Sequence, residues 1–244
     1  MSTHLVGGGR DQGRHRDVYG PFLAEAAALA RERGTDVAEV GVVVVHEVDD
    51  DGPADLAWFA AALAACGPVR CRPLPVPEGG RLDPASLDGL HGLLVAGGLT
   101  PAYAEALAPA AAAVRALVDG GAPYLGFSAG AAVAARQALV GGYRLDGVVV
   151  TAEDNGEERD ELAVVEGLGL VDLAMDVHAA QWGTLTRLVA AVAAGRLGPG
   201  VAVDEGTVLV LAPGATPRVA GAGRVWWVEP AGDGAVRVCP QTAA

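Results

Sequence analysis

Gly126-Phe127-Ser128-Ala129-Gly130 follows a short apolar stretch, Ala122 to Leu125, and opens a run of small residues, Ala131 to Ala135. An apolar strand, a tight turn carrying a serine and then a helix is the layout of a nucleophile elbow, in which flanking glycines let the backbone bend sharply enough to expose the hydroxyl. A helix beginning at that serine also aims free backbone N–H groups at the same spot, where they can stabilise negative charge developing on a substrate oxygen. The pattern G-x-S-x-G is short and the chain has 35 glycines, so its weight comes from the strand before it and the helix after it.

Outward from the elbow, apolar runs alternate with Ala-rich segments of helical character. The pairs are Leu5–Val6 with Phe22 to Arg33, Val40 to Val45 with Ala54 to Ala65, and Gly92 to Ala96 with Ala102 to Val118. Tyr124 to Phe127 with Ala129 to Leu139, and Leu173 to Val177 with Thr184 to Ala194, continue the series. Strands that are apolar throughout, separated by helices, predict a mostly parallel sheet with helices on both faces. Past Gly198 the helices stop, and Val201–Asp204, Val208–Leu211, Val225–Val228 and Val236–Val238 read as antiparallel hairpins at the C-terminal end, with Asp204-Glu205-Gly206-Thr207 as a turn that carries no chemistry. Pro73 to Pro84 and the acid-rich Thr151 to Glu161 read as loops.

At 244 residues the chain suits one α/β domain, 1–244. A formal net charge of -13 without a basic patch argues against nucleic acid as a partner. No apolar stretch reaches the roughly eighteen residues of a membrane span, and Met1 to Val6 does not look like a secretory signal. Cys66, Cys71 and Cys239 are odd in number and lack C-x-x-C spacing, which fits a reducing compartment. The expectation is a cytoplasmic protein, monomer or homodimer, without cofactor or metal.

A serine hydroxyl needs a base within hydrogen-bond reach. Among five histidines, His178 stands just past the carboxyl end of the strand ending at Val177, on the rim of the sheet where the elbow should lie. His46, after Val45, competes on topology. The orienting acid is open between Asp146, Glu153, Asp154 and Asp176, all between the serine and the histidine in chain order, with Asp146 in a loop-like stretch after the elbow helix. Gly97-Gly98 follows a strand, so the amides of Gly98 and Ala129 are the natural oxyanion donors. Gly7-Gly8-Gly9 lacks the lysine of a phosphate loop and reads as a turn. His46-Glu47 with Asp49-Asp50-Asp51 reads as a solvated loop rather than a metal site.

These residues resemble the serine peptidases that include dipeptidase E and cyanophycinase, which have a class I glutamine amidotransferase-like fold. The likeness rests on Leu5-Val-Gly-Gly-Gly9, Val95-Ala-Gly-Gly98, Gly126-Phe-Ser-Ala-Gly-Ala-Ala132, Gly141-Gly142, Gly167-Leu-Gly-Leu170, Asp176-Val-His178 and Gly200-Val-Ala-Val-Asp-Glu-Gly-Thr207. It implies Ser128 as nucleophile, His178 as base and Asp146 as the acid, acting on a small peptide substrate. Two stretches depart from the family: Ala179-Ala180-Gln181-Trp182-Gly183 replaces the usual His-Phe and arginines, and Leu99-Thr100 replaces a polar residue and Gln. Leu99, Thr100, Gln181 and Trp182 are therefore the candidate substrate contacts, with Trp182 as an apolar or stacking wall. The resemblance implies a dipeptidase or small exopeptidase working through an acyl-enzyme intermediate. A catalytically silent binding module on the same fold and an esterase are the alternatives, and amidotransfer is disfavoured because that chemistry uses a cysteine where this chain has Ser128.

Overall fold

The computed structural model describes residues 2–10, 12–47 and 52–243; Asp49, Asp50 and Asp51 of the acidic run lie outside them. In chain order the first half comprises β1 (Thr3–Val6), α1 (His15–Glu32), β2 (Ala38–His46), α2 (Pro53–Ala64), β3 (Val69–Pro77), β4 (Gly92–Val95), α3 (Thr100–Leu107), α4 (Ala111–Asp119), β5 (Tyr124–Phe127) and α5 (Ala129–Ala132). The second half comprises β6 (Gln137–Gly141), β7 (Arg144–Leu145), β8 (Val148–Val149), β9 (Ala163–Glu166), β10 (Ala174–Val177), α6 (Leu185–Ala193), β11 (Gly200–Val203), β12 (Thr207–Leu211), β13 (Arg218–Gly221), β14 (Arg224–Gly232) and β15 (Ala235–Thr242).

The main sheet runs β13-β12-β1-β5-β4-β2-β3. From β1 to β3 every pairing is parallel, and β12 and β13 extend the sheet antiparallel. Successive strand residues point to opposite faces, and β5 shows both faces covered. The Phe127 ring packs on Phe59 of α2 with centroids 5.2 Å apart, while the Tyr124 hydroxyl, on the opposite face, donates to the Gly130 carbonyl of α5. The α/β architecture expected from the sequence is present, with β12–β13 and β14–β15 as the antiparallel hairpins. Among the described residues, no helix is long and apolar enough to cross a membrane.

Three local expectations fail for identifiable reasons. Ala102 to Val118 is not one helix, because Pro109 sits in a 3-10 turn, Ala108–Ala110, between α3 and α4; proline cannot donate the helical hydrogen bond there. Ala129 to Leu139 is helical only as far as Ala132, and Gln137–Gly141 is a strand. Tertiary pairing overrides Ala propensity here, since Arg136 N–H donates to Val171 and Leu168 N–H donates to Val133. The loop read from Pro73 begins as the sheet edge: Pro73, Pro75 and Pro77 alternate with buried Leu74 and Val76 and pair only with β2. An edge strand tolerates proline at positions whose N–H would point to solvent.

A second sheet, β10-β11-β14-β15, stands beside the main one, with β10 and β11 parallel. Asp204-Glu205-Gly206 is therefore not a hairpin turn. It carries the chain from β11 in the small sheet to β12 in the main sheet, and so passes through the junction where the two sheets meet.

Candidate active site

The elbow exists because two glycines allow two backbones to touch. A Cβ on Gly126 would lie 2.3 Å from the Gly130 carbonyl oxygen, and one on Gly130 would lie 2.2 Å from the Val95 carbonyl oxygen. Any side chain at either position would push α5 off β5 and β4. Ser128, between them, sits at φ 51° and ψ -112°, a strained conformation for a non-glycine residue, of the kind stored at functional sites. Its N–H is held by the Val6 carbonyl at 2.9 Å.

His178 also has a positive φ, 55°, and its N–H donates to the Gly7 carbonyl at 2.9 Å. Gly7-Gly8-Gly9 is a cradle for this residue: a Cβ on Gly8 would fall 2.1 Å from His178 Cε1. The Trp182 indole stacks on the imidazole at 3.8 Å between centroids and 5° between planes. Ser128 Oγ lies 2.7 Å from His178 Nε2, and His178 Nδ1 lies 2.7 Å from Glu205 Oε1. An ionised carboxylate only accepts, so the ring proton belongs on Nδ1 and Nε2 is free to accept the serine proton. Burial holds the imidazole below its ordinary pKa, against the opposing pull of the Glu205 carboxylate. The ring is neutral at pH 7 and able to take up a proton.

Glu205 reaches the ring because its turn is pinned on both sides. The buried carboxylate of Asp204 accepts from Ala180 N–H, Arg224 N–H and Trp226 Nε1–H. Glu205 N–H donates to Gln181 Oε1 at 2.9 Å, and Gly206 N–H donates to the Gly8 carbonyl at 2.8 Å. The histidine cradle and the acid-bearing turn are thus one hydrogen-bonded unit.

None of the acids expected from the sequence meets the imidazole. Asp146 is exposed beyond β7 and pairs with Arg196 at 2.7 Å, so the structure does not bring it to His178. Asp176, on β10, is locked into a buried bidentate pair with Arg187 at 2.8 and 3.0 Å, and Arg187 also donates to the Asn155 carbonyl. Glu153 and Asp154 line the cleft above Ser128 without bonding the imidazole. His46 points its Nδ1 at the Glu47 carbonyl, 2.8 Å away.

The cleft, about 610 Å³, is lined by Gly97, Gly98, Leu99, Phe127 and Trp182, and among the described residues Arg10 is the one Lys or Arg beside several carboxylates. Arg10 is already paired with Asp55 at 2.5 Å and lies 5.2 Å from the Trp58 ring centroid. Gly98 and Ala129 N–H groups donate to no described residue, which leaves both available to an oxyanion. Of the four candidate substrate contacts, Leu99 and Trp182 line the cleft and two do not. Thr100 is buried, giving both its N–H and its hydroxyl to Glu157 at 2.9 Å. Gln181 holds the Glu205 turn instead.

Solved structures that share this fold include two named as peptidases. A peptidase from an acI-B1 Actinobacterium superposes with a TM-score of 0.62 at 17% identity, covering 100% of this chain and 94% of that one. A protein provisionally described as a peptidase E, from Listeria monocytogenes EGD-e, superposes with a TM-score of 0.55 at 13% identity, covering 91% of this chain and 98% of that one. No protein-family model matches the chain, and no curated protein matches it. At these identities the likeness establishes a shared fold: the chain is built on the α/β scaffold that those two proteins use.

Proposed function

We propose that this chain is a serine peptidase acting on small peptides, as a dipeptidase or small exopeptidase. The observation that carries the reading is the unbroken line of contacts from Ser128 Oγ through the imidazole of His178 to Glu205, at 2.7 Å on each side. The two peptidase-named structures of the same fold support it. In this reading Ser128 Oγ bonds to the scissile carbonyl carbon as its proton passes to His178 Nε2. The N–H groups of Gly98 and Ala129 receive the charge that develops on the carbonyl oxygen, and Glu205 stabilises the imidazolium through Nδ1–H. His178 then returns the proton to the departing amine as the C–N bond breaks, leaving an acyl group on Ser128. Water, deprotonated by the same imidazole, releases the acid and restores the hydroxyl.

A dipeptide library assayed for amine release, with wild type and Ser128→Ala side by side, tests this. Turnover by wild type and none by Ser128→Ala is the expected result. Hydrolysis of short esters but of no peptide would make the chain an esterase. Ligand-induced thermal stabilisation without any turnover would make it a binding module.

A further inference from the structure

Gly97 carries the carbonyl, and Gly98 the N–H, of a single peptide unit lying against the nucleophile: a Cβ on Gly97 would fall 2.8 Å from Ser128 Cβ. The Gly97 carbonyl accepts a hydrogen bond of 3.1 Å from the hydroxyl of Tyr103, a fully buried residue of α3. That hydroxyl in turn accepts from Val45 N–H near the end of β2, also at 3.1 Å. In a trans peptide, C=O and N–H point in opposite directions. Fixing the carbonyl onto Tyr103 therefore fixes the direction in which Gly98 N–H points, away from α3. Between two glycines this plane has little intrinsic preference and could turn over at small conformational cost.

A second anchor acts just beyond. Glu157 accepts from both Thr100 N–H and Thr100 Oγ1, each at 2.9 Å, at the first turn of α3. This ties the segment 97–100 to the 151–161 segment on the rim of the cleft. Burial pushes the Tyr103 phenol above its ordinary pKa, so it keeps the proton that serves the Gly97 carbonyl.

We propose that Tyr103 is a positioning residue that orients the Gly98 N–H toward the oxyanion, with the Glu157–Thr100 clamp as the second point that keeps the segment in place. The proposal rests on Ser128 and His178 being the reacting pair. It is tested without a known substrate by the kinetics of inactivation with a fluorophosphonate, whose phosphoryl oxygen occupies the oxyanion position as Ser128 attacks phosphorus and fluoride departs.

Outright loss of an oxyanion donor costs about 10²- to 10³-fold, so misorientation by Tyr103→Phe is expected to slow the limiting inactivation rate about 10- to 100-fold. The half-saturating inhibitor concentration and the pH midpoint of inactivation should stay at wild-type values, because neither binding nor the imidazole is touched. Glu157→Ala should slow the same rate, and Glu157→Gln, which retains an acceptor for Thr100 N–H, should restore most of it.

A folded Tyr103→Phe protein inactivated at the wild-type rate would overturn the proposal, as would a change confined to the pH midpoint. If Tyr103→Phe does not fold, the Glu157 pair decides: equal rates for wild type and Glu157→Ala would overturn it. Wild type that resists labelling, or a Ser128→Ala protein labelled as fast as wild type, would instead remove the nucleophile assignment, and the positioning role with it.

Discussion

Replacing Glu205 by Gln should cut turnover far more than any other carboxylate substitution near the cleft. In the proposed reaction the neutral imidazole becomes a cation as Ser128 attacks, with the Glu205 carboxylate 2.7 Å from Nδ1. For unit charges about 4 Å apart at an effective dielectric constant near 20, the attraction is about 4 kcal/mol. At about 1.4 kcal/mol per factor of ten, losing it lowers the rate by about 10³-fold. Gln can also donate its NH₂ to Nδ1 and impose the wrong tautomer, and removing the orienting acid from a Ser-His-acid triad has cost about 10⁴-fold in kcat. The expected result is a drop of about 10³- to 10⁴-fold in kcat with KM changed little, because Glu205 meets the imidazole rather than the substrate. Asp146→Asn, which breaks only an exposed ion pair with Arg196, serves as the comparison and should stay within about twofold, in line with the small worth of surface pairs. Steady-state kinetics on a hydrolysed dipeptide decide the matter. A large loss in Asp146→Asn with near-normal Glu205→Gln would refute this assignment of the acid.

Gly8→Ala should abolish most activity in a folded protein, since the new Cβ would collide with the His178 ring and φ is +100°; normal circular dichroism with wild-type turnover would contradict the cradle. Because burial lowers the pKa of His178 from its usual 6.5, kcat/KM should rise with pH through a midpoint below about 6.5, and a midpoint above 7 would count against it. Removing the Glu205 carboxylate takes away an influence that raises that pKa, so the residual activity of Glu205→Gln should titrate lower still. Arg187→Met leaves Asp176 buried without its partner, which costs about 3–5 kcal/mol and should lower Tm by about 10 °C in a protein of this size. A shift of under about 2 °C by differential scanning calorimetry would show that the pair is not holding β10 to α6.

Much of this was legible in the sequence because the relevant constraints are local. Gly126 and Gly130 bracket Ser128 at the one spacing that lets α5 lie on the sheet, and His178 follows a strand whose residues are all buried. Glu205 was hidden by a topological assumption. Val201 to Leu211 looks like a hairpin, and a hairpin turn has no reason to carry chemistry, yet β11 and β12 belong to different sheets. The available signal was that Glu205 follows an apolar strand at the same rim as His178. Asp146 is favoured by its loop-like setting after the elbow helix and by resemblance, neither of which reports that it lies on an exposed hairpin within reach of Arg196. Thr100 and Gln181 are expected to face substrate because they stand in the two stretches, after the Gly-Gly pair and after the histidine, that depart from the family. Thr100 is buried against Glu157, and exposed Gln181 accepts from Glu205 N–H; such second-layer contacts leave no pattern in one sequence.

Peptide-level mass spectrometry after treatment with a fluorophosphonate probes the joint requirement for an exposed hydroxyl, a neutral imidazole and an oriented acid. The account predicts a single phosphonyl adduct on Ser128 in wild type, none in Ser128→Ala, and labelling slowed in Glu205→Gln but not in Asp146→Asn. An adduct on any other serine, or labelling of Ser128 that is indifferent to His178→Ala, would contradict it.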